Sequence, residues 1–362
     1  MIKESSFTHE WVATVNRLHG WGRSEAQLKN FEKAIMALHL LEQLSLTDLP
    51  FIFKGGTSLL LLLQEVHRFS VDIDIMVEPG IDEKKIVAAL SAVMESSTRF
   101  AYYQKDPGRG STRIQHFRFY YKPFVEPLAD NPLPYILLDV AKAANPYTQL
   151  IDVPIRTALL DTAEPLRHVS IPSADSLLAD KLTAFAPETI GIPITAEPGH
   201  RPKRVEALKQ LFDVSNLFDI CTDIQEIRQT YQQVAMQEAQ ARGLTITPDD
   251  ALKDTLKYAL LLGNRDAHHS PLYHQLARGI PEFRRFVANQ SFSDLDAARC
   301  AGKIAYLVRL IKETERQAIE RFSLQTNMSD WHIPEINNQG ISDLKMLDPE
   351  AFFYWYLGLS QV

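Results

Sequence analysis

Cysteine is almost missing: only Cys221 and Cys300 occur in 362 residues. Two thiols supply neither a disulfide framework nor a four-cysteine zinc site, so a reducing, cytoplasmic setting is expected. An excess of positive charge is missing too, with 38 Lys and Arg against 45 Asp and Glu and a net charge of −7. That balance excludes a surface coated for nucleic acid and leaves room only for a local basic patch. Long apolar runs are also lacking. Leu59 to Leu63 is cut off by Gln64 and Glu65, far short of the roughly 20 residues of a membrane span. MIKESSFTHEW at the start has no secretory apolar stretch and neither end has a lipid-anchor signature, so no membrane partner is expected. GxxxxGK[ST], GxGxxG and HExxH do not occur, which removes the Walker, dinucleotide-binding and zinc-protease readings.

Apolar residues at 45% and charged residues at 23% describe a globular chain, and its length suits two domains. From about 8 to 46 the apolar residues Leu28, Phe31, Ile35, Leu38 and Leu41 recur at helical spacing. The period then changes. Val71, Ile73, Ile75 and Val77 alternate, as strands do; Ile114, Phe117, Phe119 and Tyr121 lie in a second β-rich run, YILLDV (135–140) is a third, and 83–96 is helical. The stretches 122–134 and 187–202 are loops. Beyond Ile171 the signals are helical, starting with IPSADSLLADKLTAF, where Ser173 is placed to cap a helix and Asp175 sits in its first turn. Further helices are expected over 203–220, 223–242, 249–262, 281–289, 293–322 and 342–357, the last carrying FFYWY (352–356) into the core. The expected class is α+β: a small mixed-sheet domain, 1–165, followed by an all-helical domain, 166–362.

The stretch FKGGTSLLLLLQEVHRFSVDIDIMVE, Phe53 to Glu78, carries the chemistry. Residues two apart on a strand share a face, so Asp72 and Asp74 point one way while Val71, Ile73 and Ile75 point the other. Two carboxylates so close repel unless a cation lies between them, and magnesium in a two-metal arrangement supports nucleotidyl transfer. Gly55 and Gly56 let peptide N–H groups approach a phosphate, Thr57 and Ser58 add hydroxyls, and the following helix offers its positive end. The leucines between them are core. Adjacent histidines, His268 and His269, read as a surface loop. The basic clusters Arg201, Lys203, Arg204 and Arg284, Arg285 read as solvated faces or as grips for an RNA backbone.

KGGTSL followed by RFSVDIDI resembles the AbiEii/AbiGii toxin family of nucleotidyltransferases, a branch of the polymerase-β-like nucleotidyltransferase fold. Position by position, the resemblance assigns NTP binding to Lys54, Gly55, Gly56, Thr57, Ser58, Arg68 and Ser70, and metal binding to Asp72 and Asp74. Asp139 in LLDV is the matching third carboxylate, although a strand-end acid facing solvent has the same local pattern. ADKLTAF matches the family's helical lysine motif at Lys181, to which the resemblance assigns NTP binding and the steadying of triphosphate charge; spacing alone reads it as a surface lysine lying along apolar surface. KQLFDVSNLFD matches the last motif at Asp213, with Gln210 and Lys209 departing from the usual residues; Lys209 and Asp213, one turn apart, also suit a simple ion pair. What the resemblance implies is a magnesium-dependent enzyme, probing an NTP and an acceptor such as the 3′ end of tRNA or another RNA, acting as a toxin with a cognate antitoxin. It also implies silencing by phosphorylation of Ser70. Two other readings share these residues: a small-molecule nucleotidyltransferase and a non-catalytic nucleotide-binding module.

Overall fold

The computed structural model describes residues 1–21, 24–106, 113–125, 133–195, 202–265, 269–288, 291–313, 315, 318–334 and 338–360. The chain forms two compact units. The first comprises Met1–Asn145, Leu150–Pro172 and Arg285–Gln290; the second comprises Pro146–Gln149, Ser173–Arg284 and Ser291–Val362.

In the first unit, α1 (His9–His19) and α2 (Glu25–Leu44) precede β1 (Ile52–Lys54), α3 (Gly55–Leu62), β2 (Ile73–Val77), α4 (Glu83–Ser96), β3 (Phe100–Lys105), β4 (Ile114–Tyr121) and β5 (Tyr135–Lys142). A capping box between Ser24 and Gln27 starts α2. The sheet order is β1-β2-β5-β4-β3, with β2 and β5 parallel and the other neighbours antiparallel. Alternation decides the two faces. Ile73 and Ile75 from β2, Phe117, Phe119 and Tyr121 from β4, and Ile136, Leu138 and Val140 from β5 are buried in one core with Phe31, Ile35, Leu38 and Leu41 of α2 and Ile86, Leu90 and Val93 of α4. Each such side chain contributes about 1.5–3 kcal/mol by leaving water. The residues between them therefore line the opposite, open face. A separate antiparallel pair, β6 (Leu150–Pro154) and β7 (His168–Pro172), completes the strands.

Arg285–Ala288 is the segment that local sequence pattern misplaces. A helix was expected over 281–289, but the helix there is only Ile280–Phe283. The chain then leaves it to lie against His67–Phe69, with an Arg68–Val287 bridge and bonds from Phe69 N to Phe286 O (2.7 Å) and Ala288 N to His67 O (2.9 Å). Backbone groups satisfied by a partner so distant in sequence outweigh the local periodicity.

The second unit is helical: α5 (Ala174–Ala184), α6 (Arg204–Ile220), α7 (Ile224–Ala241), α8 (Pro248–Asn264), α9 (Pro271–Ala277), α10 (Ile280–Phe283), α11 (Asp294–Lys312), α12 (Gln339–Leu347) and α13 (Pro349–Leu359). Ser173 caps α5 by accepting from Ser176 N, as its position suggests. Two expected helices are shorter than their pattern. The run 293–322 stops at Lys312, where buried Arg228 donates to Leu310 O at 3.0 and 2.7 Å and meets the open carbonyls of the helix end. The run 342–357 breaks at Asp348, whose side chain accepts from Ala351 N while Pro349 opens the next helix. FFYWY lies on α13 with Phe352 to Trp355 buried, and Trp355 Nε1 donates to Ala298 O at 2.9 Å. Gly302 makes room for that indole: a Cβ there would lie 3.0 Å from Trp355 Cδ1.

Candidate active site

The chain leaves β1 and enters α3 through Gly55, whose φ is +79°. A Cβ at this position would also run into the Asp74 carboxylate, 2.8 Å from its Cγ, so both conformation and space demand glycine. At Gly56 a Cβ would fall 2.5 Å from Arg68 Nη2 and 2.8 Å from Ser70 Oγ. The bare turn thus lets a guanidinium and a hydroxyl close on one side and a carboxylate on the other. Arg68 is buried, donating to Phe69 O at 3.1 Å.

Thr57 and Ser58 serve the turn from inside. Both are fully buried. Ser58 Oγ donates to Gly55 O at 2.8 Å, and Thr57 Oγ1 lies 2.9 Å from Ser70 Oγ and 2.5 Å from Asp72 O. The Ser58 hydroxyl thus closes the glycine turn on itself, and the Thr57 hydroxyl ties it to the acidic segment. No side chain caps the N-terminus of α3, so its first-turn N–H groups form the positive end that faces away from the helix.

Asp74 and Asp139 are direct partners across the parallel β2–β5 pair. Asp74 is also opposite Lys54 on β1, and Asp139 opposite His116 on β4. Lys54, Asp74, Asp139 and His116 therefore form one row across four strands of the open face. His116 Nδ1 lies 2.6 Å from Asp139 Oδ1, with the carboxylate as acceptor. Asp72 is exposed and precedes the first residue of β2. The alternation that buries Phe117, Phe119 and Tyr121 puts His116 on the open face, and the register of β4 on β5 brings it beside Asp139; only the first of these was readable in the sequence, and sequence reading passed over the residue.

Lys181 and Asp213 belong to the helical unit, on α5 and α6. They pair at 2.7 Å with side chains 5% and 1% exposed, and Lys181 Nζ also lies 3.4 Å from Gln210 Oε1. Lys181 is thus a buried ion-pair residue, which overturns the surface-lysine reading; Asp213 has Lys181 as a partner from another helix. Of the remaining residues singled out, His269 is exposed, as are Arg284 and Arg285. His268 and Arg201 lie outside the described residues.

An α+β frame with a glycine turn against paired strand aspartates is the architecture of a nucleotidyltransferase. The chain belongs to the family of the nucleotidyl transferase AbiEii toxin, Type IV TA system, whose model matches residues 39–295. Among solved structures it is similar to MenT4, a nucleotidyltransferase toxin from Mycobacterium tuberculosis H37Rv, with a TM-score of 0.51 and 14% identity over 96% of this chain and 99% of that one. That likeness speaks for the fold. JHP933 from Helicobacter pylori follows with a TM-score of 0.42 and 15% identity over 81% of this chain and 95% of that one. No curated protein sequence matches. The chain is a nucleotidyltransferase of a toxin family, and among its described residues no helix is long and apolar enough to cross a membrane.

Enzymes of this class work with divalent cations, and the donors here fit such an ion in kind. Asp74 and Asp139 bring carboxylate oxygens alone, the hard ligands magnesium prefers. Among the described residues no group of three or more His, Cys, Asp or Glu side chains is already gathered as a metal cluster.

Proposed function

We propose that the protein is a magnesium-dependent nucleotidyltransferase that transfers NMP from an NTP to an acceptor hydroxyl, with the 3′ end of tRNA as acceptor, and that it acts as the toxin partner of a cognate antitoxin. The observation that carries this reading is the Lys54–Asp74–Asp139 row lying against the Gly55–Gly56 turn. Asp74 and Asp139, with Asp72 at the strand entrance, would hold the cation. When bound, it neutralises triphosphate charge and polarises the attacking oxygen.

The first-turn N–H groups of α3 donate to phosphate oxygens, and Arg68, held against Gly56, adds positive charge at the same turn. Asp139, oriented by His116, takes the proton of the acceptor hydroxyl. That oxygen bonds to the α-phosphorus as the bond to the bridging oxygen breaks, and pyrophosphate leaves with the electron pair. Following the family resemblance, Lys181 steadies the triphosphate, with Asp213 as its ion-pair partner.

Incubating the purified protein with each labelled NTP, magnesium and total RNA tests the proposal. Label entering tRNA in the wild type and not in Asp74→Asn is the expected result. Label entering only small acceptors, or an Asp74→Asn protein as active as wild type, would overturn it.

A further inference from the structure

The open face of the sheet carries a second row. Tyr102 on β3, Tyr120 on β4 and Tyr135 on β5 are successive cross-strand partners. The Tyr102 and Tyr120 rings are stacked, with centroids 4.5 Å apart and planes at 20°; Tyr120 and Tyr135 are 5.5 Å apart at 55°. Beyond them the Arg118 guanidinium lies 5.0 Å from the Tyr135 centroid, held in place by Asp106 at 2.5 Å, and Lys33 Nζ lies 5.8 Å from the same ring.

This row differs from the aromatic residues that build the sheet. Phe117, Phe119 and Tyr121 face the other way and are buried, whereas Tyr102 leaves 49% of its surface in water and Tyr120 and Tyr135 are half-buried. Partly exposed aromatic rings beside cations, in a chain of net charge −7, suit an anionic polymer with π-faces of its own that extends the stack. Position supplies the last step. Tyr135 and Asp139 share the open face four residues apart on β5, as do Tyr120 and His116 on β4, a separation of roughly 13 Å. A stacked strand covers that distance in about four nucleotides.

We infer that the Tyr102–Tyr120–Tyr135 row, with Arg118 and Lys33, is a stacking surface for the bases of a single-stranded RNA acceptor whose 3′ end reaches Asp139. The inference rests on the proposed transfer to RNA. Stacking reads no sequence, so the surface supplies affinity and register while the transfer site supplies the reaction.

A short mixed-sequence single-stranded oligoribonucleotide, fluorescently labelled and titrated with the full chain without NTP, tests it by anisotropy. Tyr102→Leu/Tyr120→Leu should weaken binding about tenfold or more, while Tyr102→Phe/Tyr120→Phe, which keeps the rings, should bind like wild type. Equal affinity of the leucine pair and the wild type would overturn the stacking surface; label transfer from NTP to RNA by the wild type would then leave the RNA-acceptor reading standing. A wild type that neither binds the oligoribonucleotide nor labels RNA would overturn both. Thermal melting checks the variants, and if the leucine pair does not fold, Tyr102→Ser on the outer strand takes its place, with severalfold weaker binding expected and unchanged binding overturning the inference.

Discussion

Lys181 and Asp213 form an ion pair of 2.7 Å with almost no exposed surface. Burying one such group without the other is expensive, so the pair stands or falls together. Lys181→Ala and Asp213→Ala should each lower stability by about 3–5 kcal/mol, because each breaks a buried ion pair by removing one partner. Lys181→Met/Asp213→Leu should recover most of that loss in urea unfolding. Nucleotidyl transfer should stay lost in the double variant; recovery of activity along with stability would make the pair purely structural.

Two glycines with similar backbones separate conformation from chemistry. Gly55 (φ +79°) and Gly20 (φ +62°) both occupy the left-handed region, but a Cβ at Gly20 meets nothing within 4 Å, whereas at Gly55 it strikes Asp74. Each Gly→Ala change should cost on the order of 1–2 kcal/mol from backbone strain. Only Gly55→Ala displaces the Asp74 carboxylate, and a shift of that size should lower the transfer rate about 100-fold. Gly20→Ala should keep wild-type rates, measured with labelled NTP at saturating acceptor.

The parts of the fold that local periodicity defines were legible. The α2 stripe, the alternation of β2, β4 and β5, and the Ser173 cap all lie where spacing puts them. What escaped was either too short to show a period or decided far away. β1 is only Ile52–Lys54, and β6 and β7 are short pieces that find each other across a loop. Arg285–Ala288 takes its structure from His67–Phe69. The same distinction runs through the site. Asp72, Asp74 and the glycines stand together in one stretch of sequence and were readable there. His116 reaches Asp139 only when β4 pairs with β5, and Lys181, found by its motif, is seen to be buried only when α6 brings Asp213 against it.

The switch at Ser70 that the family resemblance implies can be tested from its surroundings. Its Oγ lies 2.9 Å from Thr57 Oγ1 and against Gly56, two residues from Asp72. A phosphate there would add roughly −1.5 to −2 charge where the proposed mechanism puts triphosphate and cation. Ser70→Asp should therefore raise the NTP concentration needed for half-maximal transfer at least tenfold, as like charges oppose binding. Ser70→Ala gives up a hydrogen bond worth about 1 kcal/mol and should remain active. Full activity in Ser70→Asp would remove the switch.

His39 gives the first unit a defined acid sensitivity. The ring is buried between Phe7 (5.1 Å) and Phe100 (5.6 Å), with Nε2 2.8 Å from Ser97 Oγ and Nδ1 without a hydrogen-bond partner. Burial first, and then the neighbouring Arg99 charge, lowers its pKa from 6.5 to about 4. Above 6.5 the imidazole is neutral in the folded and unfolded chain alike and has no effect on stability. Between 6.5 and about 4 the unfolded chain takes up a proton that the folded chain refuses, so stability falls as pH falls, by about 3 kcal/mol across the window. Below the folded pKa both states are protonated and the loss from this residue stops. His39→Phe keeps the aromatic packing and removes the titration. Urea midpoints measured from pH 7.5 to 4 should slope less steeply in His39→Phe than in the wild type between 6.5 and 4, and identical slopes would show that other groups set the acid limit.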